Sequence, residues 1–477
     1  MSAETRIEKD SLGELSVPAA AYYGVHTARA MANFRVTGQA MSTYPALIAA
    51  LATVKQAACQ ANRDLGLLDE RRADAIVAAC TELRSGRLLS QFPIDMLQGG
   101  AGTSSNMNAN EVIANRALEI LGFERGNYTE LDPLAHVNLG QSTNDVYPTA
   151  IKLCLVTHIR ILSAALGGLA VQFDRKATEF ADVIKMGRTQ LQDAVPMTPG
   201  QEFGAYATMV REDRARLAEG ALLLLECHLG GTAIGTGING HPDYPELACR
   251  YLAELSGEPV VPALDPIEAT QDCGSFVQVS GILKRVAVKL SKICNDLRLV
   301  SSGPMAGLRE INLPAVQAGS SIMPGKVNPV IPELVNQVAF EVIGNDLTVT
   351  MAAEAGQLQL NAFEPVIAFS MLQSLTHLSA AIDTLATDCV AGITANRGHL
   401  ADGVRNSIGV VTALSPSLGY KACARVAELA LATGESIADI VVAEGVLSRE
   451  QVDELLSIRR LAGLPPVPDR GTPDRVI

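Results

Sequence analysis

The chain has no tryptophan, and only nine tyrosines and ten phenylalanines among its 477 residues. A core built on large rings is excluded. Hydrophobic residues still make up 48% of the sequence, so the interior has to be filled by Ala, Leu, Val and Ile, the side chains of closely packed helices. No Lys/Arg run is interleaved with aromatics, and the formal charge is −13. Such a surface repels a phosphate backbone, which excludes nucleic acid as a partner. A small dianion remains possible, because salt screens the distant field within about 10 Å and a few local groups can bind it. No C-x-x-C pair occurs: Cys59, Cys80, Cys154, Cys227, Cys249, Cys273, Cys294, Cys389 and Cys423 are odd in number and widely scattered. That spacing argues against zinc or a redox switch and for reduced, buried thiols of a cytosolic protein. Met1 to Ser16 lacks the apolar stretch of a secretory signal. Apolar runs such as Ala221 to Leu225 are broken by Glu226 and His228 before a membrane could be spanned. The expectation is a cytoplasmic protein without membrane contact.

What is present is helical periodicity. The length calls for two or three domains. Apolar residues recur at three and four through Leu47, Leu51, Val54 and Ala58, and again through Ala75, Val77, Cys80 and Leu83. Thr149 to Ala181 predicts one long helix, unbroken at Gly167 and Gly168 if tertiary packing holds it. Comparable segments run from Phe203 to Leu229, Ser275 to Ser301, Pro332 to Ala355 and Pro365 to Ala391. Rods of about 25 residues are nearly 40 Å long. Five of them, apolar on more than one side, imply an antiparallel bundle whose outer surface is also covered, most simply by another copy of the chain. After Gly392 the helices shorten, with a capping box of Ser448 and Gln451 and a helix stop at Gly445. The expected division is a mainly helical domain over 1–140, a long-helix bundle over 141–391, and a small helical domain over 392–477 ending in an extended tail. The fold class is mainly α.

Three polar islands interrupt the helices: Gln98 to Asn110, Gly140 to Asp145, and Gly319 to Pro329. Loops and helix ends offer unpaired N–H groups and hydroxyls that helix interiors lack, so chemistry belongs there. The first holds glycines that admit a close ligand, with Thr103 and Ser104 where a helix can begin. The second is a run of donors at a helix head, and the third has two hydroxyls, an ammonium and an amide. Taken singly, the second is also an ordinary helix cap and the first an ordinary Gly-rich turn. Gly231 to Gly237 holds three glycines but neither the Lys nor the strand of a nucleotide site. His26, His158, His228, His241, His377 and His399 offer no pair at metal-ligand spacing. No cofactor and no metal is expected.

The third island contains Gly319-Ser-Ser-Ile-Met-Pro-Gly-Lys-Val-Asn328, which resembles the signature G-S-S-x-M-P-x-K-x-N of the fumarase and aspartase superfamily. Arg6 to Asp10, Tyr22 to Thr27, the first two islands, Gly187 to Asp193 and Gly230 to Asn239 are similar to family segments in family order, so the likeness reaches to about Leu456. Ser301 to Pro304, Ala306 to Leu308, Ala353 to Asn361 and Glu364-Pro365 resemble aspartases more than fumarases, which usually carry Lys before that Pro. Gln190 stands where fumarases have His. Met305 departs from the family, which commonly has Arg there, and that puts the order of the loop in question.

The resemblance implies a three-domain homotetramer with sites drawn from three subunits, eliminating ammonia from L-aspartate to give fumarate. It assigns the base to Ser320 and the donors to the substrate carboxylate to Thr103, Ser142, Thr143 and Ser321. Lys326 and Asn328 would hold the other carboxylate, Asn144, Thr189 and Gln190 would surround the amine, and Glu333 could bond Gln190. Independently of family, a site without a titratable His suits ammonia loss, because an ammonium is already protonated whereas hydroxide needs a general acid. His136 is the alternative acid. A fumarate hydratase acting on malate and a non-catalytic helical scaffold are the rival readings.

Overall fold

Five long helices dominate the structure, a computed structural model that describes residues 4–464. The expected tail falls almost wholly outside the described residues. The rods are Thr143–Glu179, Pro199–Leu222, Gly274–Val300, Val330–Glu354 and Glu364–Thr384, in the places that periodicity predicts, except that the segment expected to reach Leu229 ends at Leu222 and Glu226–Cys227 is a strand. The architecture is the mainly α, helical-bundle type expected from the sequence. Residues group into two compact units. One comprises Met1–Ser163, Ala215–Ala287 and Val338–Ser379; the other comprises Ala164–Arg214, Val288–Gln337 and Ala380–Ile477.

In the first unit, helix Pro45–Asp64 starts with Pro at its first turn and buries Leu47, Ile48, Leu51 and Val54 completely, as its spacing requires. Asp69 caps Glu70–Arg84 by accepting from the Arg72 N–H. The short helix Val25–Asn33 has no side-chain cap of its own. Glu111, buried in the middle of helix Thr103–Ile120, supplies one from a distance, accepting from the N–H groups of Gly24, His26 and Thr27. Burial raises the Glu111 carboxyl's pKa against these bonds.

Helix Thr143–Glu179 runs unbroken through Pro148, Gly167 and Gly168. Pro148 has no N–H to give the Asn144 carbonyl, its partner one turn back. His228 Nε2 occupies that carbonyl at 2.8 Å, so the imidazole carries its proton on Nε2 and replaces the missing donor. Burial holds His228 down at about 4, hence neutral. Two helical stretches, Thr143–Glu179 and Glu364–Gly392, are long and apolar enough by composition to cross a membrane, yet half and two thirds of those windows are buried within the chain.

The second unit carries a hairpin, Lys185–Thr189 with Gln192–Met197, and the short C-terminal helices. Val404, Leu414, Val426, Ile440, Val441 and Val452 form one core with Ile184 and Met186 beneath the hairpin. The capping box of Ser448 and Gln451 is formed, and Gly445 takes the left-handed conformation after helix Ile437–Ala443. All nine cysteines are free and buried.

Candidate active site

The first island begins helix Thr103–Ile120 through a left-handed turn, with φ of 93° at Gly100, 53° at Ala101 and 85° at Gly102. Gly102 is required twice. Its φ suits glycine, and a Cβ there would lie 2.2 Å from the Tyr147 ring. Thr103 is exposed and its hydroxyl donates to the Gly100 carbonyl at 2.8 Å; it faces a ligand only after turning.

The second island opens helix Thr143–Glu179, with Ser142, Thr143 and Asn144 all half-buried. Asp145, fully buried, reaches back to the Ser142 N–H at 3.0 Å and across to those of Gly230 at 3.1 Å and Thr232 at 3.0 Å. Burial pushes its pKa up to about 7 although three N–H groups favour the carboxylate. Asn144 Nδ2 donates to the Ala233 carbonyl at 2.7 Å. The helix head is thus pinned to the segment after Gly230. Asn106 of the first island donates to Thr143 Oγ1 at 3.0 Å, so the first two islands meet.

In the second unit, Thr189 ends one hairpin strand and pairs with Gln192, leaving a two-residue turn of Gln190 and Leu191 at φ 55° and 64°. A tight hairpin demands left-handed backbone at both turn positions. Side chains other than Gly store strain there, a feature that clusters at functional sites. Below the tip, Lys185 lies 2.9 Å from Glu202 and 2.7 Å from Glu310, which also pairs with Arg188.

The third island is a loop closed at its base, where Gly319 N–H donates to the Lys326 carbonyl and Asn328 Nδ2 to the Gly319 carbonyl, both at 2.8 Å. A Cβ on Gly319 would sit 2.5 Å from that Lys326 oxygen, so only glycine closes the loop. Ser320 Oγ accepts from the Ile322 N–H at 3.2 Å and the Met323 N–H at 3.0 Å. Residues 315–320 and 323–327 line a cavity of about 460 Å³ into which Ser320 and Lys326 open. Ser321 and Lys326 are exposed, Asn328 and Glu333 half-buried. Within this unit no hydrogen bond joins Thr189 or Gln190 to the loop, nor Glu333 to Gln190. Met305 is 87% exposed.

Sequence reasoning missed Lys55, Asn138, Asn106 and Asp145, and in the second unit Lys185, Arg188 and Glu310. Lys55 left a signal, a cation inside the apolar run of helix Pro45–Asp64. His136 Nδ1 accepts from the Asp132 N–H at 2.8 Å, and burial lowers its pKa. Among the described residues no group of three or more His, Cys, Asp or Glu is arranged to hold a metal ion.

Donors converging at a helix head and a hydroxyl cradled by N–H groups on a Lys-bearing loop are the parts of an elimination enzyme acting on an anion. Residues 13–344 match a family model described as lyase, and 410–463 match one described as the fumarase C C-terminus. An aspartate ammonia-lyase of Pseudomonas fluorescens is 58% identical over 95% of either chain. A fumarate lyase:delta crystallin of Brucella melitensis, solved bound to cobalt, is 54% identical with a TM-score of 0.94 over 97% of this chain and 100% of that one. A class II fumarase of Schistosoma mansoni is 35% identical with a TM-score of 0.90, over 96% of this chain and 99% of that one. The chain belongs to the fumarase and aspartase superfamily of lyases.

Proposed function

We propose that the chain is an aspartate ammonia-lyase, releasing ammonia from L-aspartate to form fumarate. The observation that carries the reading is the pair of loop N–H groups on Ser320 Oγ. A serine hydroxyl is ordinarily too weak a base for a proton next to a carboxylate. Two N–H donors and the nearby Lys326 ammonium favour its alkoxide, the more so once water leaves. Ser320 Oγ takes the proton from the carbon beside the side-chain carboxylate. The electron pair forms the new C=C bond, the C–N bond breaks, and the nitrogen leaves as neutral ammonia.

The dianionic carboxylate formed on the way needs donors, assigned to Thr103, Ser142, Thr143 and Ser321. Loss of one such donor costs about 3 kcal/mol of transition-state stabilisation. Lys326 and Asn328 hold the other carboxylate, with Asn144, Thr189 and Gln190 about the amine and Glu333 supporting Gln190. Gln190 favours ammonia over water as the leaving group. Greater identity to an aspartate ammonia-lyase than to a fumarase points the same way.

In this reading each protomer is built of the 1–140, 141–391 and 392–477 domains, and each site of a cytoplasmic homotetramer draws on stretches of three protomers. The exposed Leu334, Phe340, Ile343, Leu347 and Met351 on helix Val330–Glu354 support it, because such an apolar face asks for a cover. Ser320→Ala tests the chemistry by fumarate absorbance, with turnover expected to vanish while the fold and assembly persist. Refolding Ser320→Ala together with Thr143→Val tests the sharing. Random mixing should restore about a quarter of the sites, whereas no recovery would place Ser320 and Thr143 of one chain in the same site.

A further inference from the structure

Lys55 is wholly buried in helix Pro45–Asp64, yet it forms no hydrogen bond to a carboxylate. Asp145, the carboxylate whose field it feels, spends its oxygens on backbone N–H groups. The Lys55 ammonium donates instead to two amide carbonyls, Asn138 Oδ1 and Gln141 Oε1, each at 2.8 Å. Burial pulls the Lys55 pKa down to about 7; in its charged form the group has three donors and no acceptor, so each of those amides turns its oxygen toward it. The Asn138 Nδ2 group is then directed to the Gln141 carbonyl at 3.1 Å.

This polarity propagates. Asn138 Oδ1 also receives Asn106 Nδ2 at 3.2 Å and Asn110 Nδ2 at 3.1 Å. A reversed Asn106 amide would set oxygen against oxygen. With its nitrogen held toward Asn138, Asn106 gives its other N–H to Thr143 Oγ1 at 3.0 Å. Asn106 Oδ1, on a residue only 2% exposed, meets no partner; nothing local to Asn106 selects this orientation, and the network does. A threonine hydroxyl has one proton. Since Thr143 Oγ1 accepts from Asn106, that proton is turned away from the network and left for a ligand.

We infer that Asn106 and Lys55 are positioning residues that act through Thr143: the donor-only ammonium, relayed by Asn138 and Asn106, makes the Thr143 hydroxyl a donor to substrate. The inference rests on the reading of Thr143 as a substrate-carboxylate donor. A merely structural cluster would be served better by an apolar side chain, since burying an ammonium is costly.

A double-mutant cycle on kcat for L-aspartate separates the two. Thr143→Val should lower kcat about 100-fold, as loss of one such donor does. Asn106→Leu in the wild-type background should lower kcat about 10-fold with little change in KM, a transition-state effect. Added to Thr143→Val, Asn106→Leu should cost less than about 2-fold, because its only route is the missing hydroxyl. Multiplying losses, or an Asn106→Leu enzyme with unchanged kcat, overturn the relay while leaving Thr143 in its role. An unchanged kcat for Thr143→Val overturns the reading of Thr143 and the relay with it. Should Asn106→Leu fail to assemble, Lys55→Met enters the same cycle with the same expected non-additivity.

Discussion

Lys185 and Glu310 meet at 2.7 Å with 4% of each side chain exposed, and Arg188 on the same strand holds the other oxygen of that carboxylate. The hairpin that presents Thr189 and Gln190 is therefore anchored to a separate stretch of chain through one buried charge cluster. Glu310→Gln leaves two cations facing a neutral amide, and breaking a buried pair costs about 3 to 5 kcal/mol. Denaturant unfolding should show a loss of that order, and KM for aspartate should rise as the tip loses its support. Burial opposes the Lys185 charge, but Glu202 and Glu310 outweigh it and raise its pKa. A raised folded-state value makes the pair's stabilisation complete below 10.5, the ordinary lysine value, and lost as pH climbs through the folded one. The gap between wild type and Glu310→Gln should hold from neutrality upward and narrow only above that point.

Gly102→Ala places a methyl group 2.2 Å from the Tyr147 ring at a φ of 85°. Left-handed backbone costs an alanine about 1 to 2 kcal/mol, and displacing a packed ring adds about 1 to 3. The variant should lose roughly 2 to 5 kcal/mol in chemical denaturation by those two effects. Turnover of the folded fraction should fall too, since Thr103 starts one residue on. A wild-type unfolding curve would show that the ring yields freely.

Glu364 lies wholly buried in the first unit, and burial pushes its pKa up to about 8 against the attraction of Lys152. The folded state then keeps a proton that the unfolded chain releases near 4.5, so stability declines as pH rises from about 4.5 to about 8 and levels off above. Glu364→Gln removes the titrating group and keeps the shape. Its melting temperature should be close to wild type at pH 5 and higher at pH 8. Parallel curves across that window would mean the carboxyl is solvated.

How far these features could be read from sequence follows from the range of the forces behind them. The five rods and the Ser448–Gln451 box are set by neighbours within one turn, and periodicity found them. The hairpins Thr5–Pro18 and Lys185–Met197 escaped, because their strands are short and the second is held by Glu310, over a hundred residues away. Gly167 and Gly168 stayed helical although glycine's preference runs against it. The islands were legible as places where donors gather. That Thr143 takes its hydrogen bond from Asn106, and Asn106 its orientation from Lys55 by way of Asn138, was not legible, since each link pairs side chains from different helices or loops.

The burial of every cysteine gives the protein a built-in reporter. An alkylating reagent finds no accessible sulfur in the folded chain, so each mass increment marks a transient opening at a known address. Cys59 and Cys80 answer for two packed helices near the amino end, and Cys423 for the small carboxy-terminal helices. Counting labelled species over time would rank these regions by how often they breathe.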